Sequence, residues 1–271
     1  MRLKETTCRG FSLAELLAAM GILAVLAAFG YGAFQASLKK ARMTEELAAL
    51  RRVTQAYLGA AADQEGIYPM GLDEETPLEN LDVRFPDGVG LLAKAGHVGV
   101  VVQRLPWRLA PYLDWNFDKG YVTWTNRKTL GENPSGYYYT RSIMPAFGLN
   151  AYGVGGYRTR GNSPDLFLRV AQVTRPSATV AFAAASMFYV KPPNIRKSVF
   201  DTENPGWKAA TDNGSFAPER YGNIRFDYDG KTLVSFLDGH TRVMTPGELR
   251  DSRLWSRAAQ ESDDRSHAVM P

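Results

Sequence analysis

The side chains able to do chemistry are sparse in this chain, and their spacing does not bring them together. Three histidines, His97, His240 and His267, stand far apart, and none falls in HExxH or another two-histidine metal spacing. Neither a GxSxG nucleophile turn nor a GxxxxGKS/T phosphate loop occurs. Gly153-Val154-Gly155-Gly156 is glycine-rich, but no helical pattern follows to aim an N-terminus at a phosphate, so it reads as a loop. A calcium loop beginning at Asp227 would end on a carboxylate at Asp238, yet Thr232 occupies the place where such a loop needs glycine. Tyr, Trp and Arg crowd residues 107–127 and 137–160, a mixture that can stack sugars or bases and more commonly packs a core. The single cysteine, Cys8, excludes a disulfide framework and leaves a Cys/His zinc site short of ligands. These residues predict no enzyme, cofactor or metal. The conspicuous group is Glu15, the one charged side chain between Gly10 and Leu38.

Such a carboxylate needs an element to carry it, and the surrounding residues define that element. The 271 residues, 45% hydrophobic and 22% charged, allow one sizeable domain plus an appendage and exclude wholesale disorder and a polytopic membrane protein. A net charge of +4 from 32 basic and 28 acidic residues is too small and dispersed to call for a nucleic-acid partner. Residues 16–38 carry no formal charge, and about 20 apolar residues at about 1.5 Å each cross a bilayer. A secretory signal peptide cut near residues 25–27, a plain signal anchor and a processed membrane helix all fit this stretch. Glu15 argues against the first, because a carboxylate inside an apolar segment is costly without a use. Loop charge does not choose an orientation, since Arg2, Lys4 and Arg9 before the segment face Lys39, Lys40, Arg42, Arg51 and Arg52 after it.

The string Gly10-Phe11-Ser12-Leu13-Ala14-Glu15-Leu16-Leu17, preceded by basic residues, resembles the processing site of type IV pilins and type II secretion pseudopilins. The resemblance implies that a membrane-embedded prepilin peptidase cuts between Gly10 and Phe11 and methylates the Phe11 amine. Cys8 then leaves with the leader. It also implies that Glu15 meets the N-terminal amine of a neighbouring subunit during filament assembly, an ion pair that offsets two desolvation costs in apolar surroundings. The partners implied are the peptidase, other pilin or pseudopilin subunits, inner-membrane assembly machinery, and the lipid bilayer before assembly, with the C-terminal domain on the periplasmic or extracellular side. A non-polymerising single-pass anchor carrying a domain for surface glycan or DNA is the competing reading.

Beyond Leu38 the helical pattern turns amphipathic: Met43, Leu47, Leu50, Thr54 and Tyr57 recur at spacings of three and four, with Lys40, Glu46, Arg51 and Arg52 on other faces, until Gly66 and Pro69. One helix over about residues 11–62 follows, on the order of 75 Å long. Strands are expected at 98–103, 121–125, 136–142, 179–190, 224–228, 232–237 and 240–244, and a short helical turn at 105–113. Asp229-Gly230 and Asp238-Gly239 flank the alternating Leu233, Ser235 and Leu237 and predict consecutive hairpins. Residues 228–243, YDGKTLVSFLDGHTRV, are similar to the H-x9-DG signature of a class of prepilin-like proteins, with Tyr228 in the place of the histidine and Asp238 and Gly239 in theirs. Residues 147–152 and 173–179 resemble segments of that class as well. The expected organisation is a leader at 1–10, a transmembrane or filament-core helix at 11–38, its amphipathic continuation at 39–66, a β-rich domain at 67–255 and a flexible tail at 256–271. The fold class is α+β and pilin-like, a long N-terminal helix packed on an antiparallel sheet.

Overall fold

The computed structural model describes residues 12–73, 99–115, 120–130, 137–156, 163–195, 207 and 217–269. The chain divides into two compact units, Met1–Thr44 and Glu45–Pro271. Helix α1, Leu13–Asp63, contributes residues to both. Its sequence is dominated by Ala and Leu and free of proline, so neither propensity nor a missing N–H interrupts it. At its end Glu65 and Gly66 take positive φ of 54° and 77°, and the Gly66 N–H bonds back to the Ala61 carbonyl at 2.8 Å, which satisfies a last-turn acceptor.

In the first unit the large apolar side chains between Leu13 and Phe34 are bare. Leu13, Leu17, Ile22, Leu23, Phe29 and Tyr31 are each more than 60% exposed. Among the described residues, α1 is the helix long and apolar enough to cross a membrane.

The second unit is built on four antiparallel strands in the order β1-β2-β3-β4: β1 Phe147–Leu149, β2 Val180–Ala184, β3 Thr232–Phe236 and β4 Thr241–Met244. The register pairs Gly148 with Ala183, Ala183 with Val234 and Leu233 with Val243, with an irregularity between Val180 and Phe182. β1, β2 and β3 are buried at every position, as expected for strands covered on both faces. From Glu46 onward α1 buries Ala49, Leu50, Val53, Thr54, Ala56, Tyr57, Ala60 and Ala61. Tyr57 stacks on Tyr68 with ring centroids 5.6 Å apart and meets Phe182 of β2 edge-on at 5.3 Å. Its hydroxyl donates to the Pro69 carbonyl, and Thr54 Oγ1 donates to Ser235 Oγ of β3 at 2.7 Å. The α+β class and the long helix on an antiparallel sheet are therefore as expected.

Three expected strands are helical. Residues 98–103 yield α2, Gly99–Gln103, followed by α3, Leu105–Arg108, and a 3-10 turn, Ala110–Leu113. Residues 121–125 straddle the start of α4, Trp124–Leu130, and residues 136–142 fall in α5, Tyr137–Ile143. In the first two the β-branched or aromatic residues reflect burial rather than pleating: Val101, Val102 and Tyr121 are buried, and a short apolar run does not distinguish a buried strand from a buried helical turn. Residues 179–190 keep strand geometry only over β2, and 224–228 make isolated bridges, Ala185 with Ile224 and Tyr228 with Lys231.

The stretch expected as a tail carries local structure. Ser256 caps α6, Arg257–Glu261, through its side chain; Trp255, Ala259 and Val269 are fully buried, and the Val269 N–H donates to the Asn194 carbonyl at 2.7 Å. Apolar anchors on either side of a polar stretch tie it down. Gly153 lets this segment approach, since a Cβ there would stand 1.7 Å from the Trp255 carbonyl oxygen.

Candidate functional site

The chain enters α1 through a reciprocal cap. Ser12 N–H and Ser12 Oγ both donate to Glu15 Oε2 at 2.9 Å, and the Glu15 N–H donates back to Ser12 Oγ at 3.3 Å. This serine–glutamate capping box satisfies first-turn donors that have no intrahelical partner, and places the carboxylate beside the positive end of the helix dipole. Glu15 is exposed, on an element whose neighbouring side chains are apolar and equally exposed. The bond expected to be cut, between Gly10 and Phe11, and the Phe11 amine expected to be methylated lie outside the described residues.

At the other end of the sequence, the hairpins form on the two Asp-Gly pairs. Asp229 and Gly230 both have positive φ, 53° and 71°, and Tyr228 and Lys231 exchange two backbone hydrogen bonds across them. That is the two-residue turn whose twist matches antiparallel strands. Gly239, φ 88°, closes the β3–β4 connection, with its N–H on the Phe236 carbonyl. Asp238 Oδ1 accepts from the His240 N–H at 3.0 Å and lies 2.6 Å from His240 Nδ1, while the His240 ring stacks on Phe236. Slight burial raises the Asp238 pKa, but the hydrogen bonds from His240 and the nearby ring outweigh it and hold the carboxyl below its usual range.

Tyr228 and Asp238 are not brought together. β3 lies between them, so the two ends of the motif address different neighbours. The Tyr228 hydroxyl donates to Glu46 Oε2 at 2.8 Å, and the Trp124 indole N–H points at the same hydroxyl at 3.4 Å. Glu46 Oε1 accepts from Thr123 Oγ1 at 2.5 Å and from Thr125 Oγ1. Burial first, and then the charge of Glu46, push the Tyr228 hydroxyl above its ordinary pKa. Burial likewise raises Asp227, opposed by Arg225 at 3.4 Å and reinforced by Glu46. The repeat of Met43, Leu47, Leu50, Thr54 and Tyr57 sets Glu46 on another face; in the structure it is fully buried. The available signal was position, since Glu46 precedes Ala49 and Leu50 by three and four residues and so shares their face.

A second carboxylate, Asp165, is also fully buried. His267 Nε2 lies 2.7 Å from its Oδ1, and Ser256 Oγ donates to the same oxygen. Ser256 Oγ in turn accepts the Ala259 N–H as a helix cap. Serine and imidazole converge on one oxygen instead of passing a proton from one to the other, so the trio fastens the C-terminal segment and is not a nucleophile relay. Among the described residues no group of three or more His, Cys, Asp and Glu is placed to hold a metal.

Comparison with known proteins bears on the N-terminus alone. Residues 6–31 match the family described as the prokaryotic N-terminal methylation motif. The match begins among the basic N-terminal residues and runs into the exposed apolar part of α1, with Ser12 and Glu15 inside it. It supports a type IV pilin-like, membrane-anchored chain that is a substrate for prepilin processing. No curated protein and no solved structure matches this chain.

Proposed function

We propose that this chain is a prepilin-like structural subunit, cut after Gly10, N-methylated on Phe11 and assembled through α1 into a type IV pilus or a type II secretion pseudopilus. The observation that carries this reading is the methylation-motif match over residues 6–31, leading into a helix whose large apolar side chains are bare. Exposed patches of that size in a soluble chain require a cover, which is lipid before assembly and the α1 helices of neighbouring subunits afterwards. Glu15 is the polar exception. Within one chain its carboxyl rests on Ser12, an uncharged partner. A neighbouring subunit's Phe11 amine would replace that contact with an ion pair and fix how far one helix stands along the next, and in apolar surroundings such a pair is favoured over either charge alone. The chain enters the bacterial inner membrane by this single helix and presents the domain from Glu45 onward on the periplasmic side. The peptidase performs the chemistry; the chain's own work is architectural.

The test is intact and N-terminal peptide mass spectrometry on protein purified from membranes of the native cell. A mature chain beginning at Phe11 and heavier by one methyl group is expected. A chain still beginning at Met1, or one beginning near Ala28, refutes the processing route and the assembly that depends on it.

A further inference from the structure

Along α1 the first fully buried residue is a carboxylic acid, although the rest of the inward face is mostly apolar and rich in alanine. That face, from Ala49 to Ala61, has a repeat of three and four residues, so sliding the helix by one turn would still turn several of its apolar residues inward. Tyr57, packed against Tyr68 and Phe182, resists a slip by shape, but through contacts that another apolar side chain fills in part. Glu46 is different in kind. Its two oxygens take hydroxyls from Thr123, Thr125 and Tyr228, which belong to two chain segments 77 to 182 residues away. Hydrogen bonds are directional where apolar contact is not. A one-turn slip puts Leu50 or Arg42 opposite those three hydroxyls: leucine offers no acceptor, leaving Tyr228 unmatched and the two threonines only their mutual 2.7 Å contact, and arginine offers only donors.

We propose that Glu46 is a register pin: its hydroxyl cage fixes the axial position of α1 on the sheet of the second unit, and Tyr228 is the member of the cage supplied by the C-terminal hairpin. Glu46 and Tyr228 are positioning residues, and the apolar face supplies adhesion without choosing among registers. This follows from the second unit alone and does not depend on the assembly reading.

Disulfide trapping in the full-length chain, in detergent micelles and in a Cys8→Ser background, reads the register directly. Thr54 and Ser235 touch in the native register, so Thr54→Cys with Ser235→Cys reports it and also removes a second buried polar contact of α1, the one with β3. Arg51→Cys or Leu58→Cys, each with Ser235→Cys, reports a slip of about one turn either way. With Glu46 present the 54–235 cross-link should form at least about tenfold faster than the other two, and with Glu46→Met that preference should shrink to within about threefold. Val53→Ala, a buried apolar truncation without a polar partner, should leave the tenfold preference in place. An unchanged preference in Glu46→Met overturns the proposal. An equal collapse in Val53→Ala overturns it too, because loosening alone would then explain the slip. Should Glu46→Met fail to fold, Tyr228→Phe decides: off-register cross-links rising severalfold support the pin, and none rising refutes it.

Discussion

Replacing Tyr228 with phenylalanine removes one oxygen and keeps the ring, and the geometry says what that oxygen is worth. The hydroxyl lies 2.8 Å from Glu46 Oε2, with Tyr228 only 4% exposed and Glu46 fully buried, so water does not readily take its place. Leaving a buried carboxyl oxygen short of its donor costs about 1–3 kcal/mol, and the weak Trp124 contact at 3.4 Å adds little. For a unit of this size each kcal/mol moves the melting midpoint by roughly 2–4 °C. The assay is urea unfolding of the full chain in micelles, followed by tryptophan fluorescence: the midpoint should fall while the slope with urea stays unchanged. The control is the same substitution in a Glu46→Met background, where the hydroxyl has no carboxyl to address and its removal should cost less than about 0.5 kcal/mol or stabilise. A loss below about 0.5 kcal/mol in the parent, or equal losses in both backgrounds, would refute the reasoning.

Asp227 should oppose folding at neutral pH. Burial holds its native pKa above the unfolded value, so its favourable contribution is present below the unfolded pKa and disappears as pH rises through the native one. Asp227→Asn should therefore raise the melting midpoint at pH 7 and lose that advantage below the ordinary carboxylate range, as a pH series of thermal melts would show. Glu15→Ala should leave the melting of the second unit unchanged while abolishing filaments in cells, counted by electron microscopy of shear fractions; filaments of normal number would exclude the ion-pair role. Gly153→Ala should prevent the C-terminal segment from seating, because its Cβ would overlap the Trp255 carbonyl, whereas Gly239→Ala meets open space and should cost only about 1 kcal/mol for its positive φ. Urea midpoints for the pair should therefore differ widely.

The parts legible in the sequence are those where local chemistry and tertiary context agree. α1 could be read because its apolar run and its three-four repeat are long, and both hairpins because Asp-Gly accepts positive φ wherever it occurs. Val101, Val102 and Tyr121 were misread because their apolar character fixes burial and leaves the backbone state to their neighbours. Glu46 was misread for the complementary reason. Charge normally means solvent, and the three hydroxyls that make its burial tolerable come from residues 123, 125 and 228, whose proximity no local pattern announces. The polar residues after Ser256 suggest a tail, although Trp255 and Val269 on either side of them are fully buried. At the N-terminus Glu15 is legible as the one charge in an apolar run, whereas its reciprocal cap with Ser12 emerges only from the structure, although the serine–glutamate spacing is a capping signal.

The partners of α1 have a temporal consequence. Thr54 waits for Ser235, 181 residues later, and Glu46 waits for Tyr228, 182 residues later. At about 5–20 residues per second of synthesis, the inward face of α1 stands uncovered for roughly 10–40 s before its sheet exists. Contacts so distant in sequence also make for slow folding once the chain is complete. Through that interval an apolar stripe and an unmatched acid are open to any passing hydrophobic surface, so overproduction faster than folding should deposit this protein as aggregate even when the finished domain is stable.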